Sequence, residues 1–459
     1  MDQEKGNISY VVFVSVVAAL GGLLFGYDTA VISGAIGFLK IRFSLDPAWT
    51  GWTASSALLG CVIGVSIAGI LSDRLGRKKV LIISAMLFFI SALGTALPRN
   101  LTEFIIFRII AGLGIGAASM ASPMYIAEIS PARIRGRMVS VNQFAIVSGI
   151  LLVFFVNYFI ANQNTEAWNV EYGWRWMFGS GTLPALFLFL LLLLVPESPR
   201  WLTKQERAEE ALEILTRVNG TASAKEELEA IKEAIAQESG SLKQLFQPGF
   251  RIVLVIGVTL AILQQVTGIN VFMYFAPEIF KKLGSGTNTA LLQTVAVGTV
   301  NMIFTIIAIW SVDRLGRKPL MVIGATGMGI AMWALGLSAY YQKQESWVLV
   351  FVLGYIACFA LSLGPVVWVV LSEIFPTRIR GRAMAIATVS LWAANFVVSQ
   401  TFPMMNENQW LVEKFHHGFP FWVYGTLCIV TVLFVLLFVP ETKRKSLEEI
   451  EKMWSRSAE

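Results

Sequence analysis

Asp-Arg-Leu-Gly-Arg-Lys at residues 73–78 returns letter for letter at 313–318, and that second copy decides how the chain is to be read. The repetition extends outward. Glu-Ile-Ser-Pro-Ala-Arg-Ile-Arg-Gly-Arg at 128–137 returns as Glu-Ile-Phe-Pro-Thr-Arg-Ile-Arg-Gly-Arg at 373–382, and Pro-Glu-Ser at 196–198 returns as Pro-Glu-Thr at 440–442. The offsets are 240, 245 and 244 residues. A nearly constant offset over three separated motifs marks a duplication in parallel order. Two halves are expected, residues 1–196 and 249–440, with a cytoplasmic helical linker at 197–248 and a short tail at 441–459.

The residues between the motifs set the fold class. The chain is 56% apolar and 14% charged, whereas an ordinary soluble domain carries about 25% charge. Apolar runs long enough to cross a bilayer, about 20 residues each, recur twelve times. They lie at 10–34, 52–71, 80–97, 103–125, 139–161, 174–195, 251–275, 288–311, 319–341, 348–371, 383–402 and 419–439. The expectation is an all-α membrane protein of twelve transmembrane helices in two six-helix halves. The first run is too long for a signal-peptide core and lacks a clear cleavage site, so it is counted as structure. In the linker, Ala208, Ala211, Leu212 and Leu215, then Leu228, Ile231 and Ile235, keep helical spacing among Glu and Lys. That pattern predicts short amphipathic helices at the membrane face.

The net charge of +6 could suggest nucleic acid, but the basic residues gather in loops after even-numbered spans. Arg74, Arg77, Lys78 and Lys79 follow the second; Arg133, Arg135 and Arg137 the fourth; Arg314, Arg317 and Lys318 the eighth; Arg378, Arg380 and Arg382 the tenth; Lys443, Arg444 and Lys445 the twelfth. By the positive-inside rule these loops and both termini are cytoplasmic. The expected location is the cell (inner) membrane, with lipid and not nucleic acid as the surrounding partner. Cys61, Cys358 and Cys428 lack the spacing of a disulfide or zinc framework, and His416 and His417 find no nearby acid or thiol. No metal or cofactor is expected.

The polar residues within the spans are mostly neutral amides: Gln143, Gln264, Gln265, Asn270, Asn301 and Asn395. An amide donates and accepts at once, as does a hydroxyl, so a cavity lined by amides suits a polyol. Phe25, Tyr274, Trp368 and Trp392 could cover the C–H faces of a sugar ring. On a straight helix Gln264 and Asn270 are about 600° apart and face different ways. A break at Thr267-Gly268 would let them converge, as substrate sites in discontinuous transporter spans do. Gly364-Pro365 predicts a second break before Trp368. Asp28 is the one charge between Ile8 and Leu39. Arg108 in the fourth span is its natural partner, since an unpaired charge at the bilayer centre costs about 3 kcal/mol or more. Burial and a nearby guanidinium both act on a carboxyl's hold on its proton. A movable arginine would therefore make Asp28 a proton switch; a static salt bridge is the plainer reading.

Gly-Ile-Leu-Ser-Asp-Arg-Leu-Gly-Arg-Lys at 69–78, Pro-Glu-Ser-Pro-Arg-Trp-Leu at 196–202, Gln-Gln-Val-Thr-Gly-Ile-Asn at 264–270 and Pro-Glu-Thr-Lys at 440–443 together resemble the sugar porter family of the major facilitator superfamily. The resemblance covers nearly the whole chain. Ser-Pro-Met-Tyr-Ile-Ala-Glu at 122–128 and Leu-Ser-Glu-Ile-Phe-Pro at 371–376 are most similar to the bacterial D-xylose–proton symporters of that family.

The resemblance implies the major facilitator fold and import of a neutral monosaccharide (xylose, glucose, arabinose or a similar sugar) by proton symport through alternating access. It implies that Gln143, Gln264, Gln265, Asn270, Asn301 and Trp368 hydrogen-bond the sugar, with Phe25, Tyr274 and Trp392 as aromatic lining. It assigns proton coupling to Asp28 and Arg108, for passive uniporters commonly carry Asn in place of the Asp. A cytoplasmic gate is implied at Asp73, Arg77, Glu128, Arg137 and Glu197, and again at Asp313, Arg317, Glu373 and Arg382. Three positions depart from the symporter pattern, which has amides where this chain has Ile150 and Leu391 and an acid near Gly181.

A monomer that binds sugar and protons is expected. The rivals are a passive uniporter and a non-transporting sugar sensor, the latter poorly served by the few residues after Pro440. No Gly-x-x-x-x-Gly-Lys-Ser/Thr loop occurs to suggest ATP drive. No nucleophile–base or metal constellation suggests an enzyme.

Overall fold

The computed structural model describes residues 6–131, 133–236, 250–282, 284–342, 347–375 and 380–443, without the side chains of 222, 313 and 347. These residues form helices and no strand. The first half contains α1 (Ile8–Arg42), α2 (Pro47–Leu75), α3 (Arg77–Ala96), α4 (Leu101–Ile129), α5 (Arg135–Asn162), α6 (Glu166–Trp168), α7 (Trp174–Gly179) and α8 (Thr182–Leu194), with one π-turn at Asn169–Gly173. The linker forms α9 (Pro199–Lys204), α10 (Ala208–Asn219) and α11 (Thr221–Ala236). The second half contains α12 (Phe250–Val266), α13 (Ile269–Lys282), α14 (Thr287–Leu315), α15 (Arg317–Tyr340), α16 (Trp347–Leu361), α17 (Leu363–Ile374), α18 (Arg380–Asn406), α19 (Gln409–Phe415) and α20 (Phe419–Phe438).

Twelve of these segments are long and apolar enough to span a bilayer, α6–α8, α12–α13 and α16–α17 each counting as one. They match the twelve runs seen in the sequence, although the first continues past residue 34 to Arg42. A helix keeps its backbone hydrogen bonds beyond the apolar stretch, so the apolar run marks the minimum span and not its end. Trp310 and Leu437 keep 74% and 73% of their surface exposed, as suits side chains that face lipid.

Contacts group the described residues into two compact units. The first takes α1 as far as Asp28, α2 from Gly60, α3, α4, α5 as far as Gly149, and the chain from Phe178 through the linker helices. There Trp201, Leu202, Ala211, Leu215, Ala224 and Leu228 form a small apolar core, as the linker's helical spacing predicts. The linker is fastened to α1: Asn7 N–H donates to the Arg217 carbonyl at 3.0 Å, and the Arg217 guanidinium lies 3.8 Å from the Tyr10 ring centre.

The second unit takes Thr29–Leu59, Ile150–Met177 and the second-half helices. Two of its spans are broken. Gly268 adopts φ +95°, a conformation that L side chains rarely take, and a Cβ there would meet the Tyr424 ring at 2.8 Å. The break predicted at Gly364-Pro365 falls slightly earlier, at Ser362 (φ −127°, ψ −94°). Proline lacks the N–H that would hold the preceding turn, so α16 stops at Leu361 and Pro365 sits in the first turn of α17.

Candidate functional site

In the first unit, Arg108 is 1% exposed. Its Nη1 donates to the Asp28 carbonyl oxygen at 3.1 Å and stands 3.9 Å from the Asp28 carboxylate. The guanidinium also lies 5.3 Å from the Phe178 ring centre. The backbone contact anchors the cation while the side-chain ion pair stays loose. Beside it, the Tyr27 hydroxyl and Ser180 Oγ are 2.6 Å apart. At Gly26 of α1 a Cβ would meet the Ile146 carbonyl of α5 at 2.0 Å, so this small residue lets the two backbones touch. Phe25 and Gln143 are half-buried on these two helices.

In the second unit, three of the expected amides form one directed chain. Asn270 Nδ2 donates to Gln265 Oε1 at 2.5 Å, Gln265 Nε2 to Gln264 Oε1 at 3.2 Å, and Gln264 Nε2 to the carbonyls of Leu363 at 2.7 Å and Gly364 at 3.1 Å. The break at Gly268 thus brings Gln264 and Asn270 together through Gln265, and joins them to the start of α17. A second chain joins α13 to α18: Asn395 Nδ2 donates to the Tyr274 hydroxyl at 3.3 Å, and Asn395 Oδ1 accepts from Ser399 at 3.1 Å. Asn301 and Trp392 are buried and Trp368 is half-buried.

The duplicated motifs fold into duplicated networks. Arg77 Nε lies 2.9 Å from Glu128 Oε2, which also accepts from Ser198 Oγ at 2.5 Å. Glu197 Oε1 accepts the backbone N–H of Arg77 at 3.0 Å and of Lys78 at 3.1 Å. In the second unit Arg317 Nη2 lies 2.9 Å from Glu373 Oε1, Thr442 Oγ1 donates to Glu373 at 2.5 Å, and Glu441 accepts from Arg317 N at 3.2 Å and Lys318 N at 3.0 Å. The Glu197 and Glu441 carboxylates each sit on a helix N-terminus, where free N–H groups and the helix dipole favour an anion. Gly76 (φ +96°) and Gly316 (φ +98°) precede those helices, and a Cβ on either would collide with its carboxylate, at 2.2 Å from Glu197 and 2.9 Å from Glu441. Glycine is therefore required in both copies of the motif.

Asp73 approaches Arg77 at 3.5 Å and Lys204 at 4.0 Å, and its carbonyl accepts from Trp201 Nε1 at 3.0 Å. Arg137 and Arg382 are exposed. Arg135, not Arg137, reaches an acid of the linker, Glu227, at 3.4 Å. The side chain of Asp313 lies outside the described residues.

Residues 14–454 match the family model described as "Sugar (and other) transporter". The chain belongs to the sugar transporter family. It is 48% identical to the D-xylose-proton symporter of Escherichia coli (strain K12), over 98% of this chain and 96% of that one. To the arabinose-proton symporter of Bacillus subtilis it is 47% identical, over 98% and 96%. The glucose facilitated diffusion protein of Zymomonas mobilis is 41% identical, over 98% and 99%. A structure of the major facilitator superfamily proton:xylose symporter XylE superposes with a TM-score of 0.84 at 48% identity, covering 98% of this chain and 100% of that one. A partially occluded inward-open form of XylE from E. coli gives 0.86 at 46% identity, over 95% and 100%. The fold is therefore that of the major facilitator superfamily, and this sugar transporter is a multi-pass membrane carrier and not an enzyme.

Two features of this transporter escaped the sequence reading. Glu441 repeats the role of Glu197, and Pro-Glu-Thr at 440–442 carried the signal. The other left no motif: in the second unit Lys40 Nζ lies 2.6 Å from Glu407 Oε1, Lys282 reaches the same oxygen at 3.2 Å, and Lys281 pairs with Glu278 at 3.1 Å. Lys40, Glu278, Lys282 and Glu407 border a cavity with Ile36, Thr50 and Phe275. They join α1, α13 and the end of α18 at the helix ends opposite the basic loops. In the sequence each is only a charge beside an apolar run.

Proposed function

We propose that this sugar transporter imports a neutral monosaccharide by proton symport. The observation that carries the coupled reading is the Asp28–Arg108 pair, a carboxylate inside a span whose ion pair is held open at 3.9 Å while the arginine stays hydrogen-bonded to the backbone. The carboxyl can take a proton without uncovering the cation. Its relatives include D-xylose- and arabinose-proton symporters, and xylose, arabinose, glucose or a similar sugar is the substrate class.

In this reading Gln264, Gln265, Asn270 and Asn301 of the second half and Gln143 of the first supply donors and acceptors to the hydroxyls. Phe25, Tyr274, Trp368 and Trp392 offer apolar faces. Residues 1–196 and 249–440 work as the two repeat-related halves of an alternating-access carrier, acting as a monomer. The basic loops, both termini and the Arg77–Glu128 and Arg317–Glu373 networks face the cytoplasm. Sugar and proton enter from the opposite face, and the glutamate networks hold the inner ends in their closed arrangement.

A passive carrier is the second reading, favoured by the 41% identity to a facilitated diffusion protein. Uptake of xylose, arabinose, glucose and inositol by purified protein in liposomes, with and without an imposed pH gradient, separates the two. Symport predicts accumulation above the external concentration only when the outside is acidic. Equilibration without accumulation under that gradient favours the passive carrier.

A further inference from the structure

The two broken spans of the second unit cap each other. In an unbroken helix the Thr267 carbonyl would accept from the N–H of Val271, four residues on. Here Val271 N–H donates to the Gly268 carbonyl instead, at 3.1 Å, which leaves the fully buried Thr267 without its helical donor. The Tyr355 hydroxyl, on α16, takes that place at 2.9 Å. In the other direction Gln264, on α12, donates to the Leu363 and Gly364 carbonyls at the start of α17. Each break is held by a side chain from the other broken span.

We propose that Tyr355 is a positioning residue for sugar binding, an inference that rests on the amide chain being the sugar site. Tyr355 is 1% exposed and packs against Phe272 with ring centres 5.0 Å apart, so it acts through Thr267 and not by touching sugar. Thr267 stands between Gln265 and Asn270, and its Oγ1 also donates to the Gln264 carbonyl at 2.9 Å. On a continuous helix positions 265 and 270 point about 140° apart. The turn at Thr267-Gly268 brings their amides to 2.5 Å, and the phenol hydroxyl holds that turn. Buried carbonyls are nearly always paired, so without the hydroxyl the turn relaxes toward helix and the amide constellation opens.

The test is Tyr355→Phe in the full-length protein, with D-xylose, L-arabinose and D-glucose as probes. For each sugar that the wild type binds, Kd and transport KM are expected to rise about three- to tenfold, the loss of one neutral hydrogen bond acting on the site. The maximal rate stays within about twofold, and the melting temperature without sugar changes little. Asn270→Ala supplies the second arm, because a residue that works through the amides gives a double variant scarcely worse than Asn270→Ala alone. Wild-type affinity in Tyr355→Phe, or strictly additive losses in the double variant, overturns the proposal. If Asn270→Ala itself binds sugar like the wild type, the sugar-site reading fails and this one with it. If Asn270→Ala weakens binding and Tyr355→Phe does not, only the role of Tyr355 falls.

Discussion

Arg108 holds Asp28 by its backbone carbonyl at 3.1 Å and leaves the carboxylate 3.9 Å away. A static salt bridge would show the reverse, with the carboxylate at about 2.8 Å in a charge-assisted contact. The arrangement separates two duties, anchoring the arginine and exchanging a proton, and they can be cut apart. Asp28→Asn retains the backbone carbonyl, so sugar exchange at equal concentrations is expected to persist while accumulation driven by a pH gradient is lost. Arg108→Gln leaves the carboxyl in apolar surroundings without its cation, and both activities are expected to fall by about tenfold or more. An Asp28→Asn protein that still concentrates sugar removes Asp28 from the coupling step.

Glu197 and Glu441 occupy equivalent places but titrate in opposite directions. Burial lifts the Glu197 carboxyl above the ordinary carboxylate range, outweighing the N–H groups of Ser198, Lys78 and Arg77. For Glu441 burial also lifts, but the N–H groups of Lys443, Arg317, Lys318 and Thr442 together bring it below that range. A lowered carboxyl binds its proton less tightly when folded, so it contributes stability above its unfolded pKa that disappears as pH falls below about 4.5. A raised carboxyl does the opposite, and stability declines as pH rises from the ordinary value to the raised one. Glu441→Gln is thus expected to cost more stability at pH 7 than Glu197→Gln, on the order of 1–2 kcal/mol. Thermal unfolding in detergent between about pH 4 and 7.5 measures both. Equal losses at pH 7 contradict the argument.

The Lys40–Glu407–Lys282 cluster ties α1 to α13 and α18 in the second unit. Burial raises the Glu407 carboxyl, but the hydrogen bonds and charges of Lys40 and Lys282 more than offset this and bring it below the usual range. The ion cluster therefore persists at neutral pH. Glu407→Gln is expected to loosen the cavity bordered by Ile36 and Lys40. A cysteine placed at Ile36 in a Cys358→Ser background reports the change, since Cys61 and Cys428 are buried. Labelling by an impermeant thiol reagent is expected to be about threefold faster or more, the effect of weakening a partly exposed ion pair. Unchanged labelling means that packing alone holds this end together.

Sequence pattern fixed the spans because apolar length is a direct demand of the bilayer, and the duplicated loops because Asp-Arg-Leu-Gly-Arg-Lys needs glycine where each glutamate docks. It also located the break at Gly268. The amide chain was legible as a set of residues, yet not as a chain, since its order depends on carbonyls at Leu363 and Gly364 about 100 positions away. Tyr355 and Glu407 left no trace for the same reason. One is an aromatic in an apolar run and the other a charge at a span's end, and only the partner identifies either.

Gly181 bears on how tightly sugar and proton are coupled. It adopts φ −63° and ψ −19°, an ordinary helical conformation open to any residue, so nothing in the backbone requires glycine here. A Cβ at this position would meet the Phe178 carbonyl at 3.3 Å, Ala92 Cβ at 3.7 Å and the Tyr27 ring at 3.8 Å. A side chain therefore fits after a shift of a few tenths of an ångström, beside the residue preceding Asp28. An acid there would add a negative charge near the Asp28–Arg108 pair, and like charge makes a carboxyl hold its proton more tightly. Gly181→Glu is expected to move the pH midpoint of proton-driven uptake upward by about half a unit to one unit. Gly181→Gln, of similar size and no charge, is expected to leave it in place. Uptake measured from about pH 5.5 to 8.5 for both variants decides the matter: equal shifts would assign the effect to bulk against Tyr27, and no shift in either would place position 181 outside the electrostatic reach of Asp28.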